Sequence, residues 1–334
     1  DHKITAVAIA RELGILKHED EAITGVELER LSDEEFEEKV KNYSVYARVS
    51  PEHKVKIVKA WQKWGEIAAM TGDGVNDAPA LKRSDIGAAM GNVGTDVAKE
   101  ASDMVLTDDN FATVVAAVEE GRIIYSNILK AIQFLLSCNI GEILVLFIAT
   151  ILNWREPLLP IHILWVNLVT DSLPALALGV EPAEPDIMDR KPRDPQARIF
   201  DKGMIARIVY QGMMIGVLTL TAYIIGLRDG YAVAQTMAFS VLALSQLSHV
   251  FNVRSNKHSI FKIGFTSNRY VLGAVAVSAL LQISVVSIPF LSNVFKVAQL
   301  GVRNWIWVLL LTLIPVVIVE IVKMLGYNTA KDEE

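Results

Sequence analysis

Residues 71–79 read Thr-Gly-Asp-Gly-Val-Asn-Asp-Ala-Pro, directly after the short apolar stretch 67–70. Asp73 and Asp77 offer hard oxygen donors of the kind magnesium takes. Gly72 and Gly74 are expected to let the backbone turn sharply and approach a ligand. The chemistry implied is phosphoryl transfer at a magnesium site. In an open α/β sheet the ligand crevice lies outside the carboxyl ends of the strands, so 67–70 should be the strand that delivers this loop.

A soluble α/β domain accounts for only part of the chain. With 334 residues and 52% hydrophobic content, the sequence is too apolar for an ordinary soluble protein. The excess begins near residue 125, which predicts a cytoplasmic domain over 1–118 and a stalk with a membrane domain over 119–334. The net charge of -6 argues against a nucleic-acid partner. Cys138 is the only cysteine, cannot form an intrachain disulfide, and reads as buried packing. The chain begins at Asp1 without a signal peptide, which predicts the carboxyl-terminal part of something longer.

Six apolar stretches approach bilayer-crossing length: about 131–152, 157–177, 206–226, 233–252, 270–289 and 304–325. Lys and Arg concentrate between the second and third and between the fourth and fifth, which places the soluble half in the cytoplasm. No proline interrupts residues 111–134, so one helix is expected to run from the soluble domain into the first span. Gly212 and Gly216 allow close helix packing on the third span. His249 and Asn252 are expected at a cytoplasmic membrane edge.

The informative membrane residues are polar. Asn139 and Glu142 are three apart on the first span, and Asn167, Thr170 and Asp171 stand at i, i+3 and i+4 on the second, so each set shares a helical face. An acid at mid-bilayer costs about 2.5–3.5 kcal/mol. Two acids with amide and hydroxyl neighbours therefore argue for a bound cation or a proton relay, and carboxylates with neutral oxygens suit calcium. Pro174, three residues past Asp171, frees backbone carbonyls that could join the coordination.

The run 71–79, with Ser50-Pro51-Glu52-His53-Lys54 before it and Asn139-Ile140-Gly141-Glu142 and Trp165-Val166-Asn167-Leu168-Val169-Thr170-Asp171 after it, strongly resembles the P-type cation ATPases, calcium pumps above all. The resemblance covers the end of the phosphorylation domain and the fifth to tenth transmembrane helices. It implies a partial, doubly wound, haloacid-dehalogenase-like domain followed by an all-α membrane domain. Asp73 would ligate magnesium, Lys54 would neutralise phosphoryl charge, Asn76 would hydrogen-bond the phosphate and Asp77 would hold the loop. Asn139, Glu142, Asn167, Thr170 and Asp171 match calcium ligands. Gln246 falls where the sarcoplasmic reticulum pump has a glutamate, which predicts one calcium per cycle.

The segment Asp171-Ser172-Leu173-Pro174 differs from the sodium/potassium and secretory-pathway calcium/manganese pumps, so calcium leads manganese. The family's aspartyl nucleophile, its nucleotide-binding and actuator domains and its first four spans have no counterpart in these residues, so this stretch alone is expected neither to hydrolyse ATP nor to pump. The alternatives are a pump for manganese or another cation, or an ion-coupled secondary transporter with a regulatory phosphate-binding domain. The partners implied are membrane lipid, ATP, calcium and a proton counterion. The short tail ending Lys331-Asp332-Glu333-Glu334 points to a bacterial plasma membrane. No oligomeric state follows from these patterns.

Overall fold

The computed structural model describes residues 2–18, 21–193 and 198–326; the carboxyl-terminal tail at 331–334 lies outside them. The chain forms two compact units, Asp1–Val118 and Glu119–Glu334.

In the first unit, helix α1 (Lys3–Glu12) precedes β1 (Ala22–Thr24), and the short helices α2 (Gly25–Glu29) and α3 (Asp33–Lys39) lead to β2 (Val45–Ala47). Helix α4 (Pro51–Lys63), β3 (Ala69–Gly72), α5 (Ala78–Arg83), β4 (Ile86–Met90), α6 (Asp96–Ala101) and β5 (Met104–Leu106) follow. All strand pairs are parallel: β1 with β2, and separately β3-β4-β5 in that order. Parallel neighbours need crossovers, and helices supply them.

The helix starts are written locally. Thr24 with Glu27 and Ser32 with Glu35 form reciprocal capping boxes. Ser50 caps α4, where Pro51 takes a first-turn position that needs no N–H. Strand β3 is displaced from the expected 67–70. It runs into the motif, pairing Thr71 with Ala88 and Gly72 with Ala89, because the ladder to β4 outweighs the apolar count of residues 67 and 68.

The second unit begins inside a 40-residue helix, α7 (Ala112–Ile151). Next come α8 (Pro160–Trp165), a π-helical turn (Val166–Thr170) and α9 (Ser172–Leu178), then α10 (Lys202–Gly226) and α11 (Tyr231–Val253). The short α12 (Ile260–Ile263), α13 (Arg269–Ser287), α14 (Pro289–Phe295) and α15 (Val302–Met324) complete it. Six helices among the described residues, with α8 to α9 taken together, are long and apolar enough to cross a membrane.

Helix α11 is the hub. Its apolar window is 89% buried, against 28–56% for the other five, and its side chains enter all three large apolar clusters of this unit. The outer helices instead expose Ile143, Phe147, Leu168, Leu280 and Leu313, a surface suited to lipid. Helices α7 and α10 meet at Gly212, where an added Cβ would lie 2.7 Å from the Ser137 carbonyl oxygen.

His249 and Asn252, expected at a cytoplasmic membrane edge, are buried within the bundle, where Asn252 Nδ2 donates to the Pro315 carbonyl at 3.1 Å and faces His249 Nδ1 at 3.2 Å. One expectation is corrected here: 157–177 is not one regular helix. The Asp171 N–H reaches back five residues to the Val166 carbonyl at 2.9 Å, so Asn167, Thr170 and Asp171 do not follow ordinary i, i+3, i+4 spacing.

Candidate functional site

In the first unit the motif loop leaves β3 and enters α5 through a single 3₁₀ turn, Val75–Asp77. Asp77 is buried and organises it. One carboxylate oxygen takes the Lys54 ammonium, and the other accepts the backbone N–H groups of Asp73 at 3.3 Å and Gly74 at 3.2 Å. Burial raises the Asp77 pKa, yet the Lys54 hydrogen bond and the loop N–H groups outweigh it and hold the carboxyl below its usual range. The Asp73 carbonyl accepts the Thr95 N–H at 2.8 Å, fastening the loop to the start of α6.

Neither glycine adopts positive φ. Gly72 supplies space: an added Cβ would lie 2.5 Å from that of Asp77. Gly74 would meet nothing closer than 3.6 Å, an ordinary contact. Asp73 and Asn76 are exposed at the loop surface. This donor set fits magnesium in the form that ion prefers, with one carboxylate from Asp73 and the remaining positions left to water and phosphate oxygens. Asp77 is committed elsewhere. Lys54 spends one of its three donors on Asp77 and keeps two.

In the second unit the bundle brings three of the singled-out side chains together. Glu142, 4% exposed, receives Asn167 Nδ2 on one carboxylate oxygen at 2.8 Å and Gln246 Nε2 on the other at 3.2 Å. Helices α7 and α11 and the π turn thus converge on one acid. Asp171 is fully buried, near enough to Glu142 for their charges to interact. Neither of its oxygens has a hydrogen bond of ordinary geometry, and the Gln246 carbonyl oxygen is likewise buried and unpartnered. Thr170 turns its hydroxyl proton to the Val166 carbonyl at 3.0 Å. Asn139 is half-buried and donates to the Leu135 carbonyl of its own helix; no bond joins it to the acids.

Cys138, read as buried packing, is fully buried in the apolar cluster with Phe134, Ala177 and Val250. One feature escaped the sequence reading. A buried ionic network ties the loop after α9 to α7 and α11: Lys130 meets Glu184 at 3.0 Å, Arg190 meets Glu184 at 2.5 Å, and Arg254 meets Glu181 at 2.8 Å. Its signal was present in Asn127, Lys130 and Gln133, polar residues at threefold spacing along one helical stripe. Burial raises the Glu184 pKa, but Lys130 and Arg190 bring it below the ordinary value.

Residues 155–325, just over half of the chain, match the family model described as cation transporting ATPase, C-terminus. The chain belongs to the P-type cation-transporting ATPases. Residues 1–85 of this ATPase region match the haloacid dehalogenase-like hydrolase model, consistent with the parallel strands of the first unit. Curated relatives include a calcium-transporting ATPase 1 from Bacillus cereus, 52% identical over 98% of the chain and 39% of the relative. A calcium-transporting ATPase from Bacillus subtilis is 50% identical over 94% of the chain and 36% of the relative. The human calcium-transporting ATPase type 2C member 1 is 39% identical over 99% and 36%. The chain thus spans less than two fifths of the length of these relatives.

Proposed function

We propose that the chain is the carboxyl-terminal part of an ATP-driven calcium pump that works through an aspartyl-phosphate cycle, with the phosphorylated aspartate and the nucleotide site supplied by upstream sequence. One observation carries the calcium reading: two buried acids, Glu142 and Asp171, share one region of an apolar bundle, and Asp171 has both oxygens free of ordinary hydrogen bonds. Buried charge without compensation is costly, and a bound cation removes the cost. The neutral oxygens of Asn167, Thr170 and Gln246 complete a hard donor set, with Asn139 a further amide on the same helix as Glu142.

Stoichiometry follows from charge. Two carboxylates balance one divalent ion, and Gln246 adds an oxygen but no third charge, so one calcium moves per cycle. When calcium leaves, protons neutralise the emptied acids, making protons the counterion.

In the first unit the exposed Asp73 takes magnesium, which when bound neutralises charge on the transferring phosphoryl group. Lys54 directs its remaining N–H donors at phosphate oxygens, Asn76 hydrogen-bonds the phosphate and Asp77 keeps both the loop and Lys54 in place. Positioning and charge are most of what phosphoryl transfer requires. The unit with the motif faces the cytoplasm of a bacterial plasma membrane, in line with the Lys and Arg of the loops on that side.

The test is ATP-driven uptake into inverted vesicles by the full-length protein, wild type and Asp171→Asn, with calcium, manganese and sodium offered in turn. Calcium uptake that disappears in the variant is the expected result. Uptake of another ion alone overturns the calcium assignment, and absence of any ATP-driven uptake overturns the pump.

A further inference from the structure

Trp165 is the last residue of α8, immediately before the π turn that carries Asn167 and Thr170 and leads into Asp171. Its half-buried indole is held from two sides. Nε1 donates to Gln282 Oε1 of α13 at 2.9 Å, and the ring meets Phe295 of α14 edge-on, with centroids 4.9 Å apart. The Phe295 carbonyl lies 2.8 Å from Nε2 of His162, one turn earlier on α8, and that imidazole stacks on Phe239 of α11 at 4.3 Å. Ring contacts tolerate sliding, whereas an N–H···O bond weakens steeply with angle, so the Gln282 bond is what fixes the indole about the α8 axis. Two residues beyond Trp165, Asn167 Nδ2 reaches Glu142 at 2.8 Å. The turn then sets the phase of Asp171 through the bond from its N–H to the Val166 carbonyl. The rotation of α8 is thus passed directly to one acid and, through the turn, to the other.

Gln282 is 0% exposed, and among the described residues its Nε2 has no partner. As packing this is a poor arrangement, since a buried amide with an unmet N–H is costly. Its one satisfied atom holds Trp165. We propose that Gln282 is a positioning residue of the cation site: acting through Trp165, it fixes the rotation of α8 and so the geometry in which Asn167 and Asp171 meet the ion. The inference rests on the calcium reading of Glu142 and Asp171 above. Gln282 does not touch the ion; it stands to the site as the outer partners that orient ligands stand to a metal centre.

The experiment compares the full-length protein with Gln282→Leu, Trp165→Phe and the double variant. It reads ATP-driven calcium uptake in inverted vesicles and equilibrium calcium binding to purified protein. The half-saturating calcium concentration should rise about tenfold in each single variant, the scale on which outer partners tune a metal site. Because both substitutions break one shared bond, the double variant should rise no further. The maximal rate should stay within about twofold, since only ion binding is weakened. Should Gln282→Leu misfold for want of an acceptor for the indole N–H, the double variant has neither group and still gives the reading. Half-saturation unchanged in the double variant, or shifts that multiply, overturns the proposal and leaves the pump intact. So does a fall in maximal rate and thermal stability with half-saturation unmoved, the mark of a purely structural bond. Wild type that neither takes up nor binds calcium sinks the pump reading and this proposal with it.

Discussion

Asp77→Asn preserves shape and removes charge, which makes it a sharp probe of the motif loop. In wild type one oxygen of Asp77 takes the Lys54 ammonium and the other takes the Asp73 and Gly74 N–H groups. An amide has a single acceptor oxygen. If it stays on the loop, Lys54 faces an NH₂ group; if it turns to Lys54, both loop N–H groups are orphaned. At least one charge-assisted hydrogen bond is lost, about 1.5–3 kcal/mol. The Lys54 side chain is 31% exposed, and solvent screening favours the lower half of that range, about 2 kcal/mol. At about 1.4 kcal/mol per decade this is roughly thirtyfold.

Native-state hydrogen exchange on the full-length protein in lipid nanodiscs reads the loss where it occurs. Protection of the Asp73 and Gly74 amides should fall roughly thirtyfold, while the β4 ladder keeps its protection. Lys54→Met combined with Asp77→Asn should cost less than the two changes summed, because they remove one shared bond. Acidification should imitate the substitution. The Asp77 pKa is depressed in the fold, so its contribution is complete above the ordinary carboxylate value and fades as pH falls through the lowered one. Protection in Asp77→Asn within threefold of wild type would refute the assignment of Asp77 as the loop's organiser.

Other parts of the molecule give further expectations. Arg254→Met strands Glu181, which is 5% exposed, and should cost about 3–5 kcal/mol in thermal unfolding; adding Glu181→Gln should return part of it. Gly212→Ala drives a Cβ to 2.7 Å from the Ser137 carbonyl oxygen and should destabilise by about 1–3 kcal/mol, whereas Gly273→Ala, with nothing within 4 Å, should be neutral or slightly stabilising in the same assay. The Arg190 hydrogen bond, against a smaller cost of burial, holds Asp186 down at about 2, with Glu184 and His258 also close. The stability gap between wild type and Asp186→Asn should therefore persist at neutral pH and close as acid unfolding is followed from about pH 4 towards pH 2.

Much of this organisation was legible in the chain because it is encoded locally. The motif at 71–79, the change from mixed to apolar composition near residue 125 and the acids inside apolar runs are all properties of short windows. What was not legible depends on partners far away in sequence. Asp77 and Lys54 are brought together by the α4–β3 crossover, and neither residue type reveals the pairing. Cys138 and Asn139 are neighbours 100° apart on a helix, and only the packing of α7 against its neighbours decides that the first is buried and the second half-buried. The π turn is a property of hydrogen-bond register, for which Pro174 was a hint of disturbance but not of its kind. The burial of His249 and Asn252 was not legible either, because it follows from the helices packed around α11, whose apolar window is 89% buried.

The π turn carries a final consequence. An extra residue between Val166 and Asp171 sets the angular phase of everything that follows. If those five residues returned to ordinary α pairing, Asp171 would swing about 100° around the axis and shift about 1.5 Å along it, while Asn167 at the start of the turn moved little. Pro174 has no N–H to give the Thr170 carbonyl, so the ordinary ladder is already one bond short at this point and the two registers differ little in bonds made. The phase of Asp171 relative to Glu142 is thus set by a single hydrogen-bond register in this turn.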